Sequence, residues 1–314
     1  MENILVTGGA GYVGSVLVRK LLARNFRVTV FDNLFKDGKN LTELLLNPNF
    51  SFIKGDVTDR KQLDGLAKKN KFDGVVGLAA LVGEPICKKY PSLAKAVNYN
   101  GIINTRVAFQ DSKFIMASTG SVYGNIPDGL CVETLNPNPL SVYGETKLAA
   151  EDAICTDSLI YRFSTGAGAS NNMRLNLLPS TFCFEAYHNK TIVISQPEFQ
   201  RSFVSVSDMA DAMIYGLDNY EEMRYTYGSD DAIYNVGHEN NNWTKRKLAE
   251  YICGKTGAKL YINESIYFDP DQRNYSINFD RLRNAGFECR DTMEDIIDQT
   301  LKVIPLYEER PRLD

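Results

Sequence analysis

Ile4-Leu5-Val6-Thr7-Gly8-Gly9-Ala10-Gly11-Tyr12-Val13-Gly14 opens a chain of 314 residues and decides its fold. Ile4 to Val6 make the short apolar run expected of a strand buried in a parallel sheet. The glycines at 8, 11 and 14 permit a tight turn, close approach of backbone to a pyrophosphate, and close packing of helix on strand. Behind them, residues 15–23 carry apolar side chains at helical spacing. The free N–H groups and dipole of that helix would face a phosphate. Residues 27–31 form a second strand ending at Asp32, about twenty residues past the glycines, where a carboxylate accepts both ribose hydroxyls of an adenosine. A 2′-phosphate would be repelled there, and Asn33 and Leu34 follow instead of Arg. The expected cofactor is therefore NAD and not NADP.

Composition narrows the rest. At 44% hydrophobic and 24% charged, the chain reads as globular, long enough for one large domain or two smaller ones. A net charge of −4 gives no basic face for nucleic acid. No apolar stretch reaches membrane-spanning length, and the N-terminus enters a strand with no signal peptide, so a cytoplasmic location is expected. The six cysteines are scattered without a C-x-x-C, as reduced thiols would be. His188 and His238 stand far apart and offer neither a metal site nor a Ser-His triad.

Further along, the strand at 50–55 ends in Gly55-Asp56-Val57-Thr58-Asp59. A short acidic side chain there sits at the ligand edge of a parallel sheet, so Asp56 would bond an adenine amino group with Val57 against the ring. A helix N-cap by Asp56, Thr58 or Asp59 is the plainer reading, and both can hold because different residues can serve each role. The strand at 73–80 ends in Leu78, Ala79 and Ala80, which let the chain pass close under a cofactor. A helix carrying Asn98 follows, its amide either solvated or turned to the site to hold a water or a carbonyl. The strand at 113–117 runs into Ser118-Thr119-Gly120-Ser121. Pro139 to Glu151 then reads as a helix start, with Tyr143 and Lys147 four apart on one face. A nearby ammonium favours the phenolate and makes Tyr143 a workable general base, with Thr119 bonding the same substrate hydroxyl. Tyr-x-x-x-Lys alone is a common accident; the dinucleotide motif and the hydroxyl-rich strand end give it meaning.

Beyond a sixth strand at 158–163 the pattern changes. It predicts a loop at 166–170, a mixed stretch at 173–187 with Pro179 near its middle, and strands at 191–195 and 200–206. A helix at 207–213, a strand at 232–237, helices at 243–255 and Met293–Val303, and a polar arm at 269–277 complete the reading. We expect a dinucleotide-binding domain over 1–165, with 205–238 returning to it, and a smaller lobe built from 166–204 and 239–314.

These residues resemble the extended short-chain dehydrogenases/reductases, specifically the NAD-dependent nucleotide-sugar epimerase/dehydratase family. Residues 7–14 are similar to its cofactor fingerprint, 55–59 to its adenine-contacting segment and 118–124 to its active-site strand end. Tyr143 and Lys147 match its catalytic pair, Thr119 its catalytic hydroxyl and Asn98 its helix Asn. The resemblance implies a Rossmann-type doubly wound parallel sheet with a smaller, mainly helical C-terminal substrate lobe. It implies Gly8, Gly11, Tyr12, Val13, Gly14, Asp32, Asn33, Asp56, Val57, Leu78, Ala79, Ala80, Asn98, Tyr143 and Lys147 around NAD, and Ser121, Asn176, Arg201 and Arg273 around a UDP-, GDP- or dTDP-linked sugar. A guanidinium fork suits a diphosphate. A homodimer built on the helices near Asn98 and Tyr143 is implied too.

Departures shape the expected reaction. The family's 4,6-dehydratases carry Asp-Glu just after the catalytic Thr, where this chain has Gly120-Ser121. Its 3,5-epimerising members use Cys at the position of Ser121. Residues 162–168 depart from the usual Asn-Val-Tyr-Gly ending. The expectation is an epimerase that oxidises C4 transiently to a keto sugar. The alternative is a 4-dehydrogenase that releases the ketone, in line with a similarity of 173–178 and 269–275 to enzymes that oxidise GDP-heptoses at C4. A non-catalytic cofactor sensor on the same fold commonly lacks the Tyr-Lys pair that this chain keeps.

Overall fold

The computed structural model describes residues 1–126, 129–228, 232–264 and 274–308. The strands among them are β1 (Asn3–Thr7), β2 (Arg27–Asp32), β3 (Phe50–Lys54), β4 (Gly74–Gly77), β5 (Lys113–Thr119), β6 (Leu130–Cys131) and β7 (Leu159–Phe163), followed by β8 (Thr165–Ala167), β9 (Thr191–Ile194), β10 (Gln200–Ser205), β11 (Ile233–Val236), β12 (Asn242–Thr244), β13 (Lys259–Ile262) and β14 (Ser276–Ile277). Seven of them form one parallel sheet in the order β3-β2-β1-β4-β5-β7-β11. Its direction of growth reverses between β1 and β4, and the crevice at the carboxyl ends there is where such sheets take ligands.

Alternation along the strands sorts side chains to two faces. Ile4, Val6, Val28, Val30 and Val76 pack under the helices Tyr12–Ala23 and Val206–Asp218. Leu5, Phe31, Val75, Phe114 and Met116 pack under Arg60–Lys69, Gly101–Ala108 and Val142–Ile154. Each buried Val, Leu or Phe stabilises by about 1.5–3 kcal/mol, so this two-sided core holds the strand ends still.

A second core gathers Phe182, Phe184, Phe203, Trp243, Leu248, Met293 and Ile297 between the helices Leu178–His188, Lys245–Thr256 and Met293–Val303. Small sheets edge it: β9 pairs with β13, and β10 lies between β8 and β12. Tyr12 belongs to this core while Leu17 and Leu21 of the same helix belong to the first, so the helix behind the glycines joins the two.

Four local readings change. The segment read as a loop at 166–170 begins as β8, because Thr165, Gly166 and Ala167 find a parallel partner in Phe203, Val204 and Ser205. Trp243, read as helical, lies in β12 opposite Arg201, and the helix starts at Lys245 behind a Thr244 cap. Pro179 stands in the first turn of its helix, where its missing N–H costs nothing. The strand read to residue 80 stops at Gly77, so Leu78 to Ala80 run free of the ladder. Residues 269–273 of the polar arm lie outside the described residues.

Candidate active site

The glycine turn leaves no room for side chains. Gly8 sits at φ +75°, and a Cβ there would fall 2.6 Å from the Ala79 nitrogen; one at Gly14 would strike the Gly8 carbonyl. Gly11 starts the helix without a side-chain cap, so the amides of the first turn, Tyr12 and Val13 among them, face the crevice uncapped. Ala10 is pinned from outside. Its N–H donates to Asp32 Oδ2 (3.0 Å), and its carbonyl accepts from Asn40 Nδ2 (3.1 Å) and Asn172 Nδ2 (2.7 Å). Asp32 Oδ1 accepts from the Leu34 amide (2.8 Å). Burial pushes the Asp32 carboxyl above the usual carboxylate range, against the pull of those two amides.

Asp56 accepts from Thr58 N–H (2.9 Å) and Asn33 Nδ2 (3.1 Å). Burial raises its pKa, but these bonds outweigh it and hold the carboxyl below its ordinary value. The helix that follows is capped by Asp59, so Asp56 is not the cap. Val57 is buried beside it. Across the crevice, the Leu78 amide donates to the Thr7 carbonyl (3.0 Å), which keeps Leu78, Ala79 and Ala80 beside the glycines.

Thr119 and Ser121 stand at the end of β5. Thr119 Oγ1 donates to Ser121 Oγ (3.0 Å) and accepts from the Ser121 amide (3.1 Å). The helix Val142–Ile154 starts against them: a Cβ on Gly144 would lie 2.9 Å from the Ser121 carbonyl. Ser141 caps that helix, and Glu84 Oε2 accepts from the Tyr143 amide (3.4 Å). Tyr143, half-buried, precedes Gly144 in that first turn and packs against the cluster of Leu81, Cys87 and Ala94. Lys147 follows one turn later, 2% exposed. Burial lowers its pKa to about 8, resisted by the charge of Glu151 one further turn on and by Cys87. Among the described residues no hydrogen-bond acceptor meets its ammonium.

Asn98 lies in a π-helical turn, Lys95–Asn100, and is completely buried. Its Oδ1 accepts from the Leu81 amide (2.7 Å), and its Nδ2 donates to the Leu81 carbonyl (3.0 Å) and Thr146 Oγ1 (3.1 Å). It holds the Leu81 backbone from both sides and ties it to the Tyr143 helix, so the carbonyl reading applies and the solvated one does not.

Beneath the strand ends runs a sealed polar network that the sequence does not announce. Glu151 accepts from Ser118 Oγ and from Arg162 Nη2 (2.7 Å), with Glu151 1% and Arg162 3% exposed at the side chain. Arg162 continues to Tyr123 OH (3.2 Å), which donates to Asn235 Oδ1 (2.7 Å), and the Asn235 amide donates to Glu133 Oε1 (2.8 Å).

On the substrate side, Arg201 is buried on β10 and donates to the Gln200 carbonyl (2.9 Å). Asn176 Oδ1 accepts from Arg174 Nε (3.4 Å). Arg273 lies outside the described residues. The motif reading misses Arg174. A sequence signal exists for it: residues 158–184 contain Arg162 and Arg174 but no Asp or Glu.

The site fits a dinucleotide: uncapped helix amides, glycines packed against backbone, a carboxylate at the end of β2 and a buried ammonium awaiting an acceptor. Comparison with known proteins agrees. The chain is 29% identical to a probable UDP-arabinose 4-epimerase of Oryza sativa subsp. japonica, over 89% of this chain and 78% of that one. It superposes on the UDP-glucose 4-epimerase of Thermus thermophilus in complex with NAD, with a TM-score of 0.81 at 22% identity, covering 96% of this chain and 99% of that one. A dTDP-glucose 4,6-dehydratase of Bacillus anthracis str. Ames in complex with NAD gives a TM-score of 0.80 at 23% identity over 98% of each chain, so the fold does not separate the two reactions. Residues 4–237 match the model of one family, and the chain belongs to it: the NAD dependent epimerase/dehydratase family.

Proposed function

We propose that this chain is a nucleotide-sugar 4-epimerase, with Tyr143, Lys147 and Thr119 as its catalytic residues. When bound, NAD supplies a hydride acceptor that also returns the hydride. The chain's own part is proton transfer and positioning. Tyr143, as phenolate, takes the proton from the C4 hydroxyl, and the Lys147 ammonium stabilises that phenolate. Thr119 Oγ1 orients the hydroxyl. Once the keto sugar has presented its other face, Tyr143 gives the proton back to the same oxygen. Gly8, Gly11, Gly14, Tyr12 and Val13 would receive the cofactor's diphosphate, Asp32 its ribose and Asp56 its adenine.

The observation that carries C4 epimerisation over dehydration is Gly120. A Cβ there would lie 2.9 Å from Ile277 Cδ1 and 3.2 Å from Tyr275 OH. Any side chain at that position would have to displace these two, and neither Gly120 nor Ser121 supplies a carboxylate, so abstraction of a C5 proton lacks its base. The likeness to a UDP-arabinose 4-epimerase favours a UDP-linked sugar. We read residues 1–165 and 205–238 as the cofactor-binding domain and the remainder as the sugar-nucleotide lobe.

The same reading includes a cytoplasmic homodimer. Among the described residues no helix is long and apolar enough to cross a membrane. The run from Pro91 to Ala108 packs along the Tyr143 helix and leaves Leu93 and Val107 exposed as an apolar face for a second copy.

The deciding experiment is product analysis after incubation with UDP-, GDP- and dTDP-sugars, bound nucleotide left in place. An isomer of unchanged mass is expected. Loss of two hydrogens with an added electron acceptor would make the enzyme a dehydrogenase. Loss of water would overturn the argument from Gly120.

A further inference from the structure

We propose that Arg174 is the cation that closes the cradle for the diphosphate of the cofactor, reaching over the glycine turn from the segment between β8 and the helix Leu178–His188. That segment is fastened directly to the turn. Tyr12 OH donates to the Gly168 carbonyl (2.8 Å), Ser170 Oγ donates to the Tyr12 carbonyl (2.6 Å), and Asn172 Nδ2 donates to the Ala10 carbonyl (2.7 Å). Residues 168–172 thus form a strap across the mouth of the glycine turn, with Arg174 two residues further on.

Arg174 is held on its far side by neutral groups alone. Its Nη2 donates to the Val82 carbonyl (3.4 Å), its Nε donates to Asn176 Oδ1 (3.4 Å), and Nη2 lies 3.8 Å from where a Gly83 Cβ would stand. Among the described residues no carboxylate pairs with it. A guanidinium in a crevice without an anion is costly, and burial does depress its pKa. Its charge is felt at Tyr12, at Tyr143 and at Lys36 on the loop after β2. Two cations therefore stand near one place, and among the described residues Asp37 is the acid that opposes this at Lys36. Tyr12, held neutral by burial, does not offset that repulsion; a dianion does.

The location selects which dianion. Tyr12 is the first residue of the helix whose amides face the crevice, and Tyr143 lies in the first turn of the helix Val142–Ile154. A guanidinium whose charge acts on both, carried two residues beyond the strap on the glycine turn, suits a dinucleotide bound between them. The diphosphate of a nucleotide sugar has the same chemistry, but the fastening of 168–172 is to the cofactor turn, and Arg201 lies on β10 instead. Arg is suited to this task because its planar fork gives two parallel bonds to phosphate oxygens.

The assignment rests on NAD filling this crevice and is independent of which sugar is turned over, so it is tested without any sugar. Arg174→Gln is prepared free of nucleotide and titrated calorimetrically with NAD, ADP-ribose and adenosine, beside the unaltered protein. NAD and ADP-ribose are expected to bind roughly 10- to 100-fold more weakly, the loss of one charged hydrogen-bonding group, with adenosine within about two-fold. The affinity of the variant for NAD should also fall less steeply with added salt. Unchanged NAD affinity would overturn the proposal, and a raised KM for the sugar nucleotide alongside it would move Arg174 to the substrate. Equal weakening of all three ligands would overturn it too, by showing a collapsed strap. Arg174→Lys, which keeps the charge and loses the fork, should fall between Gln and Arg for NAD and ADP-ribose.

Discussion

Two polar clusters lie one helical turn apart and could hardly differ more. In the lower one, Ser118, Glu151, Arg162, Tyr123, Asn235 and Glu133 satisfy one another and are closed to water. In the upper one, among the described residues, Lys147 meets no acceptor, Arg174 no acid, and the amides of the first helix turn no side-chain cap. Both are buried or half-buried and rich in charge, so charge and depth do not distinguish structure from function here. Completeness does. A network that closes on itself positions the strand ends β5, β7 and β11; one that is left open awaits a ligand.

Tyr143→Phe tests the open cluster most severely. Turnover should drop by about 10²- to 10⁴-fold, the range of a lost general acid–base, with NAD affinity and melting temperature nearly unchanged. Activity that survives in a steady-state assay would remove Tyr143 from the mechanism. Arg162→Met tests the sealed cluster. It leaves the Glu151 carboxylate buried without its partner and should cost about 3–5 kcal/mol in urea unfolding. A variant as stable as the parent would show that the network is not closed, and the contrast between the clusters would fail.

The smallest effect concerns the residue that joins them. Lys147 titrates at about 8 in the fold and at 10.5 as a free side chain. Between those values the unfolded chain holds the proton more tightly, so stability rises with pH across that window. The ammonium that supports the phenolate disappears over the same interval, so activity falls. A pH profile of kcat/KM that declines through about pH 8, while the urea midpoint climbs, is the expected pair of results. Both quantities moving in the same direction would assign the decline to something else.

The upper cluster is half legible in the sequence because its parts are local. Three glycines at fixed offsets, a carboxylate after β2, hydroxyls after β5 and a Tyr-Lys pair at i, i+4 each announce themselves within a few residues. The lower cluster joins residues from 118 to 235 and has no short-range signature. β8 and β12 escape the sequence reading for the same reason. Both owe their strand conformation to β10, through pairs as distant in the chain as Thr165 with Phe203 and Ser202 with Asn242. The π-turn at Lys95–Asn100 looks like any helix in sequence, yet it accompanies the placement of the Asn98 amide on Leu81. Arg174 falls inside the stretch 173–178 noted only for a likeness, and nothing but its acid-free surrounding marks it as a cation for a ligand.

The pairing of the small sheets has a consequence for how the chain reaches its fold. β9 waits for β13, and β10 waits for β12, each separated by tens of residues and by the main-sheet strand β11. Contacts of such long range close late and slowly. A chain emerging only as far as residue 237, where the family match stops, would already hold every strand of the main sheet. It would still present Phe182, Phe184 and Phe203 uncovered, next to the unpaired edges of β9 and β10. That nascent form is the one most exposed to self-association, and the residues that follow act as its built-in cover.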